Sequence, residues 1–364
     1  MKVMQVLYSG LGGHGSVVTS MIEADKKKEW EHSLLFYGIE ELLTGYKNFC
    51  INNNIPFAFI KKGKGIFKTG WRAIRIEFKK CNPDAIILHS PTLIFPAWLY
   101  CLASKKRLFV VEHTPHSTKG LAEKIASFFS ILLARKVVCL SAEYRQKLQQ
   151  QFRLLPVLRK TIVIQNGIDL EKFHPAVKPS GGELHIGMIG RFSIQKNQAM
   201  IIDAAIKGFA SGQFDEAIHF HFAGNGETLE GLEKAVTDNG LAARVHFHGL
   251  LNEEELYEFL ARLDVYVHAS FAETMCTSVM QAMACGLPVI ASDIPGINDI
   301  VEKNKNAILF NNGDVSGLIN GLTMMKNKNT RSEMSNNSRR IATEQFSSLK
   351  TFSGYSNLIK FLEK

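Results

Sequence analysis

The chain has 364 residues, enough for two α/β domains and too many for one small hydrophobic core. With 46% hydrophobic and 21% charged residues it is not an intrinsically disordered chain, and its six scattered cysteines exclude a disulfide framework and indicate a reducing compartment. The net charge of +9 is uneven: residues 1–180 hold 27 Lys and Arg against 13 Asp and Glu, a formal charge of +14, which suits nucleic acid, anionic lipid or a phosphorylated substrate.

Short apolar runs alternate with segments of helical period along both halves of the chain, which predicts βαβ units and parallel sheets. The strands predicted in the first half are Val3–Tyr8, His32–Tyr37, Ala85–His89, Arg107–Glu112, Lys136–Leu140 and Thr161–Gln165. Those predicted in the second half are Leu184–Ile189, Ala217–Ala223, Val245–His248, Val265–His268 and Pro288–Ala291. The predicted fold class is therefore α/β, with one doubly wound, Rossmann-like domain in each half.

A linker is predicted at residues 173–182, where two prolines and paired glycines break the periodicity of strands and that of helices. It separates an N-terminal domain at residues 1–178 from a C-terminal domain at residues 183–345. Residues 346–364 carry apolar side chains at helical spacing, so we expect a helix that packs back on the first domain. We expect no transmembrane helix, because no apolar run reaches the roughly 20 residues that span a bilayer.

A glycine-rich turn follows the first predicted strand, with Gly10, Gly12, Gly13 and Gly15 ahead of a helical pattern. The spacing satisfies the G-x-G-x-x-G pattern of dinucleotide-binding domains. However, the second strand does not end in the acidic residue that would hold an adenine ribose. A dinucleotide oxidoreductase and a tight turn without a ligand are both open interpretations of this turn.

A second loop, after the predicted strand Leu184–Ile189, places Arg191 and Lys196 five positions apart. Open α/β sheets bind ligands at the carboxyl ends of their strands. The guanidinium can contact two phosphate oxygens and the ammonium adds a point charge, which together suit a diphosphate leaving group. Two cations on a loop are more often simply solvated, so this assignment depends on the motif that follows.

The segment Phe271–Ile290 carries the most specific motif of the chain. Glu273 is followed eight positions later by Gln281 and then by Ala-Met-Ala-Cys-Gly-Leu-Pro-Val-Ile. The segment resembles the signature of the retaining glycosyltransferases of family 4, which have the GT-B fold: a Glu, seven residues, a second Glu and Ala-Met-Ala-x-Gly-x-Pro-Val-Ile. Further likenesses follow in the family's order: Gly12-Gly13, Asn166-Gly167-Ile168-Asp169, Gly190-Arg191, Gly224-Asn225-Gly226 and Phe247-His248-Gly249.

The resemblance implies two Rossmann-like domains facing each other across a cleft, with a nucleotide-sugar donor bound by the second. It implies that Glu273 hydrogen-bonds hydroxyls of the donor sugar and that Arg191 and Lys196 hold the diphosphate. It also implies that His113, after the strand Arg107–Glu112, contacts the sugar from the first domain. His116 is the competing candidate, and a histidine that only completes the turn at Pro115 is an open alternative. The remaining candidates for donor binding are Gly12, Gly13, Gly190, Gly224, Asn225, Gly226, Met275, Cys276, Thr277, Ser278 and Gln281.

One position departs from the signature, because Gln281 stands where the family has its second glutamate. A glutamine keeps a carbonyl acceptor for a ribose hydroxyl but loses the stronger charge-assisted bond. We therefore expect weaker nucleotide binding. A relative that binds sugar nucleotides without catalysing transfer is an open alternative.

The implied function is retaining transfer of a sugar from a nucleotide sugar, with a UDP-sugar as the expected donor. The expected acceptor is a saccharide or lipid-linked saccharide in bacterial-type surface glycan synthesis. We expect no metal or other cofactor, because Arg191 and Lys196 supply the charge that a divalent cation would supply. The rival from another class is a nucleic-acid-binding protein that uses the basic first half, but it leaves Glu273 without a role.

Two histidine pairs need a separate interpretation. His219 and His221, like His246 and His248, alternate along predicted strands and so share a face, as metal ligands would. Neither pair has a carboxylate partner at useful spacing, so we interpret all four as core or edge residues and predict no metal site.

Residues 61–80 interleave lysines and arginines with Phe67, Trp71, Ile74 and Phe78, the pattern of a basic amphipathic helix. Such a helix either binds an anionic membrane surface or covers a sheet with its apolar side, and the sequence leaves both open. The resemblance to family 4 favours the first interpretation, binding to a membrane surface. We accordingly expect a cytoplasmic protein that associates peripherally with the cytoplasmic face.

Overall fold

The structure, a computed structural model, describes residues 1–10, 12–63, 68–177 and 182–361. The chain divides into two compact units: Met1–Ile168 with Ser348–Lys364, and Asp169–Ser347. Each unit is built around one parallel sheet. The alternation of strands and helices in the sequence predicts this α/β class correctly.

The strands of the first unit are β1 (Lys2–Tyr8), β2 (Glu31–Gly38), β3 (Phe57–Lys61), β4 (Ala85–Leu88), β5 (Arg107–Glu112), β6 (Lys136–Cys139) and β7 (Thr161–Val163). They pair in parallel in the order β3-β2-β1-β4-β5-β6-β7. The order reverses between β1 and β4. At such a switch point the loops diverge and leave a crevice for a ligand.

The helices between these strands are α1 (Gly13–Ala24), α2 (Thr44–Asn52), α3 (Lys68–Cys81), α4 (Ile94–Ser104), α5 (Leu121–Leu133), α6 (Ala142–Gln151) and α7 (Val157–Lys160). Helix α3 lies in the segment predicted to be basic and amphipathic. Its Ile74 and Phe78 are fully buried in the core beneath the sheet. Part of the apolar side of α3 therefore stabilises the fold, while Phe67 lies outside the described residues.

The strands of the second unit are β8 (Leu184–Ile189), β9 (Ile218–Ala223), β10 (Val245–Phe247), β11 (Val265–His268), β12 (Val289–Ser292) and β13 (Ala307–Phe310). They form a parallel sheet in the order β10-β9-β8-β11-β12-β13, with the switch point between β8 and β11. The helices are α8 (Gln198–Ala210), α9 (Leu229–Asp238), α10 (Glu253–Arg262), α11 (Thr277–Ala284), α12 (Pro295–Asn298), α13 (Val315–Met324) and α14 (Lys328–Gln345).

The carboxyl-terminal helix α15 (Ser348–Phe361) belongs to the first unit. The Phe352 ring lies 4.9 Å from the ring of Trp30, and Lys360 Nζ lies 2.8 Å from the carboxylate of Glu29. Helix α15 thus packs beside the end of α1. In the described parts of the chain, no helix combines the length and the apolar character needed to cross a membrane.

The boundary between the units falls between Ile168 and Asp169, earlier than the predicted end of the first domain at residue 178. The segment just after it is bound to the second unit: Lys172 pairs with Glu253 at 2.6 Å, and Arg339 Nη1 donates to the carbonyl of Phe173 at 2.9 Å. The prolines therefore come after a segment that already packs on the second unit. Residues 178–181 of the predicted linker lie outside the described residues.

Candidate functional site

Two loops meet at the switch point of the second unit, one after β8 and one after β11. The backbone N–H of Phe271 and the hydroxyl of Ser270 both donate to the carbonyl of Gln195, at 2.9 and 3.2 Å. The Gln195 side chain in turn donates to the carbonyl of Ala272 at 2.9 Å. These bonds join the loop that carries Lys196 to the loop that carries Glu273.

The joined loops bring Lys196 and Glu273 into an ion pair. Lys196 Nζ lies 2.6 Å from Glu273 Oε1, and Nε2 of the buried His268, the last residue of β11, lies 2.9 Å from the same oxygen. The Glu273 side chain is 11% exposed, and its Oε2 accepts no hydrogen bond from the described residues. One carboxylate oxygen is therefore anchored by two groups, while the other can accept hydrogen bonds from a ligand.

The pKa shifts show which charges this cluster holds. Burial alone would raise the pKa of Glu273, but Lys196 and His268 outweigh it and hold the pKa well below its usual range. Burial would also lower the pKa of His268, yet Cys276 and Glu273 raise it to about 9. Burial opposes the charge on Lys196, and Glu273 raises that pKa as well. At neutral pH a fixed carboxylate lies between two cations.

Three possible metal ligands lie in the same cluster. His268, Glu273 and Cys276 place one ligand atom each within 4.8 Å of one another, a donor set that suits zinc. However, Lys196 and the charged His268 already contact the carboxylate and neutralise it, which disfavours a further cation there. The expectation that no metal is required stays a prediction.

Glycines set the approach between the loops after β8 and β9. Gly224 has φ +139°, and a Cβ there would lie 2.0 Å from the carbonyl oxygen of Gly190. A Cβ on Gly226 would lie 2.1 Å from the carbonyl oxygen of Phe192, whose N–H donates to Asn225 at 3.0 Å. The sequence predicts that Gly224 and Gly226 bind the donor. In the structure their backbone packs closely against the loop after β8 and holds that loop, which carries Arg191 and Lys196, in place.

The remaining predicted residues of the second unit lie close to these loops in sequence. Arg191 is exposed and directly follows Gly190. Helix α11 begins at Thr277, with Met275 and Cys276 buried before it and Ser278 half-buried in its first turn. Gln281 is buried on the same helix. A neutral amide at a buried position avoids the desolvation cost of a second carboxylate.

The first unit has its own cluster at the switch point between β1 and β4. His113 Nε2 lies 2.9 Å from His89 Nδ1, whose other nitrogen lies 2.7 Å from the buried Gln5. The ring of His14 is 5.7 Å from that of His113, just after Gly12 and Gly13 at the start of α1. Burial lowers the pKa of His14 to about 4, of His89 to about 3, and of His113 well below its usual value.

Sequence reasoning identified His113 but missed its two histidine partners, as it missed His268. A signal was present in each case. His89 and His268 are the last residues of predicted strands, and His14 lies inside the glycine turn. Side chains at these places point toward the edge of the sheet where ligands bind.

A second histidine cluster lies on the face of β8, β9 and β10, away from the candidate site. Nitrogen-to-nitrogen distances are 3.0 Å for His185 and His221, 3.1 Å for His221 and His248, and 3.2 Å for His219 and His246. Glu183 and Arg244 flank the cluster. Burial and the neighbouring histidines lower the pKa of His221 to about 3, so the His221 ring is neutral at neutral pH. Of the four histidines interpreted from the sequence as core or edge residues, His219, His221 and His246 are half-buried, and His248 is exposed just after the outer strand β10.

We expect this cluster to make the protein less stable as the pH falls below 6.5. Between that value and the folded pKa the unfolded chain binds a proton at His221 and the folded chain does not, so stability is lost as the pH falls. His221→Gln should remove roughly 1–2 kcal/mol of the difference in unfolding free energy between pH 7.5 and 5. Urea unfolding at both pH values measures it. The control is His174→Gln, at an exposed histidine of the same unit, which should keep the full pH dependence of the unfolding free energy. If His221→Gln also left this pH dependence unchanged, the attribution to His221 would be wrong.

Comparisons with known proteins relate the sequence of both units to glycosyltransferases. The Glycosyltransferase Family 4 model matches residues 11–172, and the model of glycosyl transferases group 1 matches residues 169–341. The UDP-Gal:alpha-D-GlcNAc-diphosphoundecaprenol alpha-1,3-galactosyltransferase of Escherichia coli is 28% identical over 261 residues, which cover 69% of this chain and 66% of that protein. An uncharacterised glycosyltransferase of Methanocaldococcus jannaschii is 26% identical and covers 93% of this chain and 92% of its own.

The fold has close counterparts among solved structures. HepE of Anabaena, in its complex with UDP-glucose, superposes with a TM-score of 0.82 at 19% identity and covers 99% of both chains. The predicted fold of two parallel-sheet α/β domains is therefore confirmed, and so is the predicted family, because the two family models together span both units. The chain belongs to family 4 of the glycosyltransferases, a class of hexosyl-type transferases with the GT-B fold.

Proposed function

We propose that the protein is a retaining glycosyltransferase that transfers a sugar from a UDP-sugar to a saccharide or lipid-linked saccharide in surface glycan synthesis. The observation that carries the proposal is the Glu273 carboxylate, with Oε1 fixed by Lys196 and His268 and Oε2 left to accept bonds from sugar hydroxyls. The names of similar proteins support the proposed classes of donor and acceptor. The E. coli relative is named for UDP-Gal and a diphosphoundecaprenol acceptor, and HepE was solved with UDP-glucose.

In the proposed reaction the bond between the anomeric carbon and the diphosphate oxygen breaks. The acceptor hydroxyl oxygen bonds to the same carbon from the same face, and its proton passes to the departing diphosphate. Arg191 and Lys196 stabilise the negative charge that develops on the leaving group, without a metal ion. The family resemblance implies that the anomeric configuration is retained. Because Gln281 stands where the family has its second carboxylate, we assign no covalent nucleophile and attribute retention to the attack from the same face.

The two units take different parts in this proposal. The second unit binds the donor through its two switch-point loops and the start of α11. The first unit carries the excess positive charge, and we assign to it the binding of the acceptor. Its His113 is neutral, so it serves as a hydrogen-bond partner for the sugar and not as a cation.

Thermal unfolding with a panel of ligands tests the donor assignment. UDP at a hundredfold excess over its Kd should stabilise the protein by ~2.7 kcal/mol, equally with and without magnesium. GDP, ADP, NAD and a short DNA duplex should stabilise it less. A product assay with UDP-glucose and UDP-galactose then identifies the sugar.

Arg191→Ala should abolish the stabilisation by UDP, because the diphosphate loses its bidentate partner. The matched control is Arg262→Ala, at an exposed arginine of the same unit that pairs with Glu258 on the surface of α10, and it should leave the stabilisation intact. If only NAD or DNA raised the transition temperature, the glycine turn or the basic half would be the binding site and the proposal would be wrong.

A further inference from the structure

Helix α5 presents apolar side chains to solvent as well as to the core. Leu121, Ile125, Phe128 and Leu132 are spaced four, three and four residues apart, which places them on one face of the helix. All four are exposed, Leu121 by as much as 76%. We name these four residues the α5 stripe. An ordinary surface helix of an α/β domain turns such a face toward its sheet.

The opposite side of α5 explains this orientation. Its buried face combines Ala126 and Ile131, which belong to the core, with Ser127 and Ser130, which are both fully buried. Ser127 Oγ lies 2.8 Å from the ammonium of Lys119, which forms a buried ion pair with Glu112. Because a buried ion pair requires its hydrogen-bond partners, Ser127 fixes the rotation of the helix together with the core residues Ala126 and Ile131, and this rotation leaves the α5 stripe on the surface.

The apolar surface continues beyond α5. The ring of Phe128 lies 5.8 Å from that of Phe152, at the end of α6. Leu154, in the turn that follows, is 100% exposed, and Leu158 on α7 is exposed as well. Helix and turn together form an apolar surface of several large side chains, which monomeric proteins seldom leave uncovered.

Cations gather at the carboxyl end of the α5 stripe. Lys160 Nζ donates to the carbonyls of Leu132 and Ala134, at 3.3 and 2.8 Å. Lys136 Nζ donates to the carbonyl of Arg159. Among the residues that the structure describes, no carboxylate pairs with Arg135, Lys136 or Arg159. Apolar side chains beside unneutralised cations complement a membrane whose surface is anionic and whose interior is apolar.

We propose that the α5 stripe, with the turn at residues 152–158, docks the protein on an anionic lipid surface. This places the contact on a different element from the basic segment at residues 61–80, where Ile74 and Phe78 already serve the core. The leucines and the phenylalanine enter the lipid interface, while Arg135, Lys136 and Arg159 contact the headgroups. The surface acts independently of the nucleotide-sugar site.

Vesicle co-sedimentation of the full chain tests the proposal. The protein should bind vesicles of phosphatidylcholine with phosphatidylglycerol and bind pure phosphatidylcholine far less, with salt weakening the binding. The double variant Ile125→Ser/Phe128→Ser should lower the partition coefficient about tenfold or more. The charge variant Arg135→Glu/Lys136→Glu should lower it on anionic vesicles alone. Met324→Ser, at an exposed apolar residue of the second unit, is the matched control and should change nothing.

Two further measurements separate the outcomes. Thermal stabilisation by UDP should be the same in Ile125→Ser/Phe128→Ser as in the unmodified protein, which shows that the variant is folded and that donor binding is a separate property. Sedimentation equilibrium without lipid reports self-association. Equal vesicle binding by all variants would overturn the proposal. It would also be overturned by a lipid-independent dimer that the double variant dissociates, because the α5 stripe would then be a contact between two copies of the chain.

Discussion

Replacing Glu273 with glutamine is expected to lower kcat/KM for sugar transfer by about 10²- to 10³-fold, the loss of about 2.7–4 kcal/mol of transition-state stabilisation. The amide keeps the shape of the side chain but removes the charge that Lys196 and His268 neutralise. Its nitrogen is a donor, so it cannot accept a hydrogen bond from a sugar hydroxyl as Oε2 does. Steady-state kinetics with a UDP-sugar measures the effect.

The affinity for UDP alone should change little in Glu273→Gln, because UDP lacks the sugar that this carboxylate contacts in the proposed site. The matched control is Glu302→Gln, which removes a surface carboxylate paired with Lys305 at 2.8 Å and should leave both transfer and UDP binding unchanged. A Glu273→Gln enzyme within about threefold of the unmodified kcat/KM would remove Glu273 from the proposed mechanism.

Most of the strands predicted from the sequence are largely buried. The strand β4, Ala85–Leu88, is wholly buried and reads as a continuous apolar run. Each of the two missed strands, β3 and β13, is one of the two outer strands of its sheet, and the other two outer strands, β7 and β10, were predicted. At Phe57–Lys61 no residue is fully buried, and Ala307–Phe310 is only four residues long. Exposure and length alone do not explain the two misses, because β7 and β10 are also half-exposed and are only three residues long.

The candidate site was predicted as two separate motifs, and the structure supplies the contact between them. Local spacing predicts that Arg191 and Lys196 share a loop and that Glu273 begins a signature. It does not show that Lys196 meets Glu273, because that contact depends on β8 and β11 being neighbours in the sheet. The role of His268 was missed for the same reason. Its ring becomes significant only once the loops after these two strands are joined.

Gly296 is a further residue that the sequence did not single out, although it fixes the backbone beneath the carboxylate. A Cβ at this position would lie 2.2 Å from the carbonyl oxygen of Glu273 and 2.8 Å from the backbone nitrogen of Thr274. Both obstacles are main-chain atoms of the site loop and cannot rotate away as a flexible side chain can. Gly296→Ala must therefore displace either α12 or the loop that carries Glu273.

We expect Gly296→Ala to lower the unfolding free energy by about 1–3 kcal/mol, as overpacking of a filled core does. We also expect it to lower kcat/KM by about 10²-fold, because a shift of ~1 Å in a reacting group is enough for such a loss. Urea unfolding and steady-state kinetics on one preparation give both values.

Gly231→Ala is the control. This glycine lies in α9 with open space around it, so alanine should stabilise the helix by up to about 1 kcal/mol and leave the kinetics of sugar transfer unchanged. Full transfer activity in Gly296→Ala would mean that the position of Glu273 does not depend on this close contact.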